Sequence, residues 1–330
     1  MRVGFNPRKH DSDVARAAET TVATVTYIPQ LEGYWRESLD VLRVCLDSIK
    51  AHSGDDVDIM VFDNGSCKEV RDELEKRLVA GTLDYAVFSR ENLGKIGALN
   101  MLFGAVQSEY VAFTDSDVYF YPGWLEAERR VMDAFDDVGM VSGVPTPQNF
   151  GQFTKSTMEK AIADPTIAVE EGALVPESSI RRYAASIGRS DTDAFVEKYG
   201  RGGHTRLVRN GVSAFATATH FQFLARSSVL KGVFPLPVSA AVGVEWAMDQ
   251  KLDEAGFLRL SVDGYVVHHL GNVLSEEWRG GAEALAASAA QSSARRSFVS
   301  RATRRMLRTR AVQRVARTIN QHSFKVMAVR

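Results

Sequence analysis

Two aspartates two residues apart, Asp115 and Asp117, are the side chains of this sequence best placed to do chemistry. They lie in YVAFTDSDVY, residues 110–119. Tyr110, Val111, Ala112 and Phe113 are β-branched, aromatic or small, and Pro122-Gly123 punctuates the turn beyond. The stretch therefore reads as a buried strand that delivers both carboxylates to its C-terminal lip. At that end of a parallel strand the backbone opens into the crevice where open α/β sheets bind ligands. In extended chain the two side chains leave on the same side. Two negative charges that close repel each other, and each is costly to bury unpaired, so a positive group is expected beside them. A divalent cation, Mn²⁺ or Mg²⁺, meets that need, since it takes hard oxygen ligands from one or two carboxylates and completes its shell with water and substrate phosphates. The plainer alternative is a solvated turn capping a helix from Trp124 onward.

Other residues join this pair. Asp63 closes a strand in VFDNGS. It suits an Asx-turn, or a carboxylate at the sheet's lip that accepts from the N–H of a nucleobase. In NLGKIGALN, residues 92–100, Asn92 suits a helix start, while Lys95 and the helix N-terminus would meet phosphate or hydroxyl groups of a ligand. Neither G-x-G-x-x-G nor G-x-x-x-x-G-K-[ST] occurs, which disfavours a dinucleotide or P-loop site. His268-His269 ends the last predicted strand, where successive side chains point to opposite faces, so at most one of the two serves a site.

The elements that must position these residues alternate. Strands are expected at 21–28, 57–62, 83–89, 110–113 and 139–144, with helices over Ser38–His52 and Lys68–Ala80, from Asn92 to about Gln107, and from Trp124 to about Phe135. That order implies right-handed crossovers and a parallel sheet. Residues 148–210 show weak periodicity, several glycines and charged clusters, and read as a mobile insertion with short helices. Beyond it, 216–225 is strand-like, 244–255 is a helix ended by Gly256, and 258–270 holds a further strand.

A length of 330 residues with 45% hydrophobic side chains is ample for a core. No apolar run is long enough to cross a membrane, the first residues lack an apolar secretion core, and Cys45 and Cys67 have no metal-ligand spacing. The compartment expected is the reducing cytoplasm. A net charge of −1 hides an asymmetry, for residues 284–330 carry eleven Lys or Arg and no Asp or Glu.

Together TYIP, VFDNGS, ENLGKIGALN and FTDSDV, in this order and spacing over residues 21–147, resemble the family 2 glycosyltransferases of the GT-A fold. The resemblance implies an α/β, Rossmann-like, mostly parallel sheet flanked by helices. It implies a single domain: an N-terminal segment (1–20), a nucleotide-sugar half (21–147), an acceptor-side half (148–283) and a basic helical tail (284–330). It further implies that Thr26, Tyr27 and Pro29 line a base pocket that Asp63 reads, that Asn92, Lys95 and Asn100 face the donor, and that Asp115 sits near the ribose. Asp117 would hold a metal on the donor diphosphate, with Asp115 and His269 in reach. In the second half the resemblance is looser. The family carries an acidic pair before a helix ending in Arg-Leu and Gly, and counting back from Gly256 puts Glu245 on the catalytic base; Val244 replaces the first acid. Asp249, one turn on, shares its face and is the reserve candidate.

The function implied is metal-dependent transfer of a sugar from a UDP- or GDP-type donor to a hydroxyl acceptor, lipid-linked or polysaccharide, with inversion. Alternatives are a catalytically degenerate nucleotide-sugar binder and a phosphohydrolase of the haloacid dehalogenase type, which also uses an aspartate pair after a strand. The tail has an imperfect apolar stripe among arginines. It suits either a helix packed on the acidic body or an amphipathic segment at an anionic membrane surface, which would make the enzyme membrane-associated. Nucleic acid is not expected, because no aromatic platform accompanies the charge.

Overall fold

The computed structural model describes residues 16–238, 246–276 and 278–279. The tail, Glu245 and most of the N-terminal segment lie outside them. In chain order the elements begin β1 (Thr20–Thr26), α1 (Ser38–His52), β2 (Val57–Asp63), α2 (Lys68–Ala80), β3 (Tyr85–Phe88), α3 (Gly94–Ala105) and β4 (Tyr110–Asp115). They continue with β5 (Val118–Phe120), α4 (Trp124–Ala134), β6 (Val138–Ser142), α5 (Lys155–Ala163), β7 (Ala168–Gly172), α6 (Glu177–Ser186) and α7 (Thr192–Gly200). Last come β8 (His204–Arg209), β9 (Val212–Phe215), β10 (Gln222–Arg226), α8 (Ser227–Val233), α9 (Trp246–Glu254), β11 (Leu258–Val262) and β12 (Val267–His269).

One 10-stranded sheet runs β3-β2-β1-β4-β10-β6-β11-β9-β8-β7, and β12 pairs with β5 in a small second sheet. Helices cover both faces of the large sheet, which is why its central strands are apolar on both sides. In β4, Tyr110 and Ala112 point into one core with Leu42, Leu46, Leu74 and Trp124, while Val111 and Phe113 point into the other with Ile96, Leu102, Phe103 and Leu252. The first four strands in sheet order are parallel, as the alternation of strand and helix requires. The described residues form a mixed α/β fold around one large sheet.

β10 runs antiparallel between β4 and β6, a strand that returns late in the chain to fill a gap that sequence order does not reveal. Two expectations are corrected. The strand expected at 216–225 begins only at Gln222, and residues 216–221 are a mostly buried loop. Residues 148–210 are part of the architecture: β7 and β8 extend the sheet edge, and Ile180, Tyr183, Ala184 and Phe195 join the larger core. β7 is an edge strand with no alternation of buried and exposed residues, which explains its missing signal.

The lip beside β4 rests on a buried polar chain. Glu128 Oε1 accepts from Gln222 Nε2 at 2.7 Å, and Gln222 Oε1 accepts from the Gly143 N–H at 2.8 Å. A Cβ at Gly143 would lie 2.8 Å from that Glu128 oxygen, so only glycine allows the approach. Glu128 is fully buried, and its Oε2 has no hydrogen-bond partner among the described residues. Burial pushes its carboxyl well above the ordinary glutamate value of 4.5. Below that value both folded and unfolded chains hold the proton. As pH rises the unfolded chain releases it first, so stability falls until pH passes the folded-state pKa. Glu128→Gln keeps the acceptor and removes the titration. It is expected to raise Tm at pH 8 and to flatten the decline from pH 5 to 8, as read by calorimetric melts.

Candidate active site

A cleft of about 330 Å³ opens at the C-terminal ends of β1, β2 and β4, lined by Tyr27, Asn64, Asn92, Lys95, Asp115, Ser116 and Asp117 among others. Asn64 knits its floor: its N–H donates to Thr26 O, its Oδ1 accepts from Leu93 N at 2.9 Å, and its amide donates to Asn92 Oδ1 at 3.0 Å. Asn92 Oδ1 also accepts from Gly94 N, so both asparagines hold the start of α3 against the sheet. Lys95, one residue into that helix, reaches Asp115 at 2.8 Å from Oδ1 and 3.0 Å from Oδ2. The positive partner expected beside the carboxylates is, for Asp115, a lysine. Asp115 is thereby paired within the protein.

Asp117 differs. It follows β4 in the turn to β5, and its Oδ1 is buried without a hydrogen-bond partner among the described residues. Its Oδ2 lies 3.3 Å from His269 Nε2. Burial raises this carboxyl above the ordinary aspartate range and Asp115 adds to the rise, while His269 and Lys95 oppose it. His269 Nδ1 is 3.1 Å from the Ser186 carbonyl oxygen at the end of α6. A carbonyl only accepts, so Nδ1 carries the proton, and in the neutral ring Nε2 turns a lone pair toward the carboxylate. Two acceptors facing each other need a proton or a cation between them. A histidine whose outer N–H is fixed by a carbonyl is also how metal-ligating imidazoles are usually held. Its neighbour His268 turns away, stacks on Trp278 at 5.4 Å, and is pushed down to a pKa of about 4 by burial.

Several predicted site residues sit elsewhere. Asp63 is fully buried, with Oδ1 accepting from Ser66 N at 3.1 Å and Oδ2 paired with Arg71 Nε at 3.1 Å. Both oxygens thus have partners inside the protein, Oδ1 within the Asx-turn, while Asn64 is the residue that lines the cleft. Thr26 is buried and Pro29 half-buried, and neither lines the cleft, whereas Tyr27 does. Asn100 exchanges hydrogen bonds with the backbone of Leu236 at 2.8 and 2.9 Å, pinning α3 to the loop after α8. Asp249 is buried, 2.9 Å from Arg259 Nη2 and 3.2 Å from His220 Nδ1, and serves as counter-ion to a buried guanidinium rather than as an open base. Sequence reasoning passed over Asn64, read only as a turn residue, and Ser116. It also passed over Ser186, whose role is carried by a backbone carbonyl that no side-chain pattern marks.

Against known proteins, the glycosyl transferase family 2 model matches residues 34–189. The uncharacterized glycosyltransferase alr2836 of Nostoc sp. (strain PCC 7120) is 29% identical over 100 residues, which are 30% of this chain and 31% of that protein. The chain thus aligns with under a third of that relative's length. Among solved structures, S. aureus TarS 1-349 is similar at 15% identity with a TM-score of 0.43, over 82% of this chain and 65% of that one. TarS 1-349 in complex with UDP-GlcNAc gives 14% identity and a TM-score of 0.43, with 82% and 66% covered. The segment that matches the glycosyl transferase family 2 model spans Asp63, the start of α3, both aspartates of the β4 lip and Ser186.

Proposed function

We propose that this protein is a glycosyltransferase that moves a sugar from a UDP- or GDP-type nucleotide-diphosphate donor to a hydroxyl acceptor, with Mn²⁺ or Mg²⁺ and with inversion. The observation that carries the reading is the facing pair of acceptors, Asp117 Oδ2 and His269 Nε2, with the second Asp117 oxygen buried and unsatisfied. One carboxylate and one imidazole suit a divalent cation that takes its remaining ligands from phosphates and water. Among the described residues no three His, Cys, Asp or Glu side chains converge as a closed cage, and Asp117 with His269 would leave such an open shell. Asp117 and His269 would hold the ion, and the chemistry supplied there is neutralisation of charge on the leaving diphosphate.

The chain's own residues do the rest. Lys95 fixes Asp115 beside the place where the donor's ribose would lie, and Tyr27 offers an exposed ring at the cleft wall for the base. Glu245 would take the acceptor's proton from the opposite side, and that in-line geometry inverts the anomeric centre. Residues 21–147 would then form the donor half and 148–283 the acceptor half. Membrane attachment through 284–330 is part of the same reading; among the described residues no helix is long and apolar enough to cross a membrane.

A thermal-shift screen of UDP-, GDP- and TDP-sugars with and without Mn²⁺ tests it. One donor is expected to stabilise the protein only with the metal, by about 2.7 kcal/mol at a hundred times its Kd. No shift with any donor would remove the reading.

A further inference from the structure

Beyond His269, away from the donor cleft, the structure forms a second hollow of about 320 Å³, walled by Arg182, Ser186, His268, His269 and Trp278 among others. No acidic side chain lines it among the described residues. Arg182 projects from α6. Its guanidinium lies 5.2 Å from the centre of the Tyr121 ring and 4.9 Å from that of Tyr265, and it hydrogen-bonds the Tyr121 hydroxyl. Neighbouring arginines are spent on carboxylates: Arg181 on Asp193, Arg189 on Asp191, Arg206 on Glu170. Arg182 has no carboxylate partner among the described residues.

Arg182 spends one N–H on the Tyr121 hydroxyl and keeps its other guanidinium donors for an oxyanion, which such a group binds in two-pronged fashion. Trp278 stacks on His268 with ring planes 24° apart, and its ring centre lies 4.4 Å from that of Tyr119, so the wall of the hollow facing Arg182's element is aromatic. The hollow and the donor cleft share one wall, since His269 lines the hollow and also faces Asp117. A molecule in the hollow therefore lies beside the proposed position of the donor's diphosphate, and its walls are built largely from the second half of the chain.

We propose that this hollow is an acceptor subsite for an acidic group, a phosphate or carboxylate carried near the accepting hydroxyl, with Arg182 as its counter-ion. The assignment rests on the reading of Asp117 and His269 as the donor side. Titration calorimetry on the protein saturated with UDP and Mn²⁺ tests it, using glycerol 3-phosphate and glucuronate as probes and glycerol and glucose as their neutral counterparts. The acidic probes are expected to bind at least about tenfold more tightly than the neutral ones. Arg182→Ala and the exposed charge reversal Arg182→Glu are expected to erase that preference while leaving UDP affinity within about twofold. The stronger of the two acidic probes identifies the oxyanion.

Equal affinity for acidic and neutral probes, or an acidic preference that survives Arg182→Glu, overturns the proposal. So does displacement of UDP by the probes together with weakened UDP binding in Arg182→Ala, which would give Arg182 to the donor diphosphate and leave the transferase reading standing. If UDP itself fails to bind the parent protein, the donor assignment is what fails; the same probes measured without UDP on parent and Arg182→Glu then decide the hollow alone.

Discussion

Replacing Asp117 with alanine is expected to abolish Mn²⁺-dependent binding of a nucleotide diphosphate while the protein stays folded. The loss follows from the position of the carboxylate, whose Oδ1 is buried without a hydrogen-bond partner among the described residues and whose Oδ2 faces His269. Outer-shell partners of a metal typically cost about 10–100-fold in affinity when removed, so loss of a direct ligand should exceed about a hundredfold. The fold should survive because the turn is held by backbone, with Asp117 O accepting from Leu270 N at 2.6 Å, and not by the side chain. Deleting a carboxylate that burial and Asp115 both disfavour removes an unfavourable charge from the folded state. Calorimetry with UDP and GDP, with and without Mn²⁺, reads the first effect, and a melting curve reads the second. Undiminished affinity in Mn²⁺ would sink the metal role. An equal loss with and without Mn²⁺ would mean that Asp117 touches the nucleotide directly.

The residues that carry this expectation were legible in different degrees. α1 and α2 have the predicted bounds, Ser38–His52 and Lys68–Ala80, because their apolar positions recur at helical spacing and Gly54 and Gly81 stop the run soon after. β4 was legible from its own short run of β-branched, aromatic and small residues, which ends at the two aspartates. What sequence could not show was which partner each charged group would meet. Asp63 lies in a stretch that suits a turn and a ligand equally, and the choice was made by Arg71, eight residues along a helix, closing on its second oxygen. Asn100 stands one helical face from Lys95, yet its amide is consumed by a loop more than a hundred residues later. The His269–Ser186 contact joins the last strand to a segment whose periodicity was too weak to place. Pairings across such sequence distances follow from the order of strands in the sheet, and the late arrival of β10 between β4 and β6 is the step that local pattern does not encode.

Glu245→Gln is expected to lower kcat by about a hundredfold or more with donor affinity unchanged. The amide keeps the size and hydrogen bonding of the acid but cannot take a proton, so only the transition state suffers. Asp249→Asn, one turn along, is expected to do something different. Asp249 lies 2.9 Å from Arg259, a side chain almost wholly buried, and leaving that guanidinium without its counter-ion costs about 3–5 kcal/mol of stability. The variant should therefore melt at a clearly lower temperature, yet at a temperature where it remains folded its kcat should stay near the parent's. Turnover measured beside a melting curve for both variants separates the two roles. If folded Asp249→Asn is inactive while Glu245→Gln works normally, the proton leaves through the His220–Asp249 pair, whose imidazole is 3.2 Å from the carboxylate, and the base lies one turn beyond Glu245. If both folded variants turn over as the parent does, proton removal depends on neither acid. If the parent binds donor but transfers to no acceptor, the degenerate nucleotide-sugar binder becomes the better description.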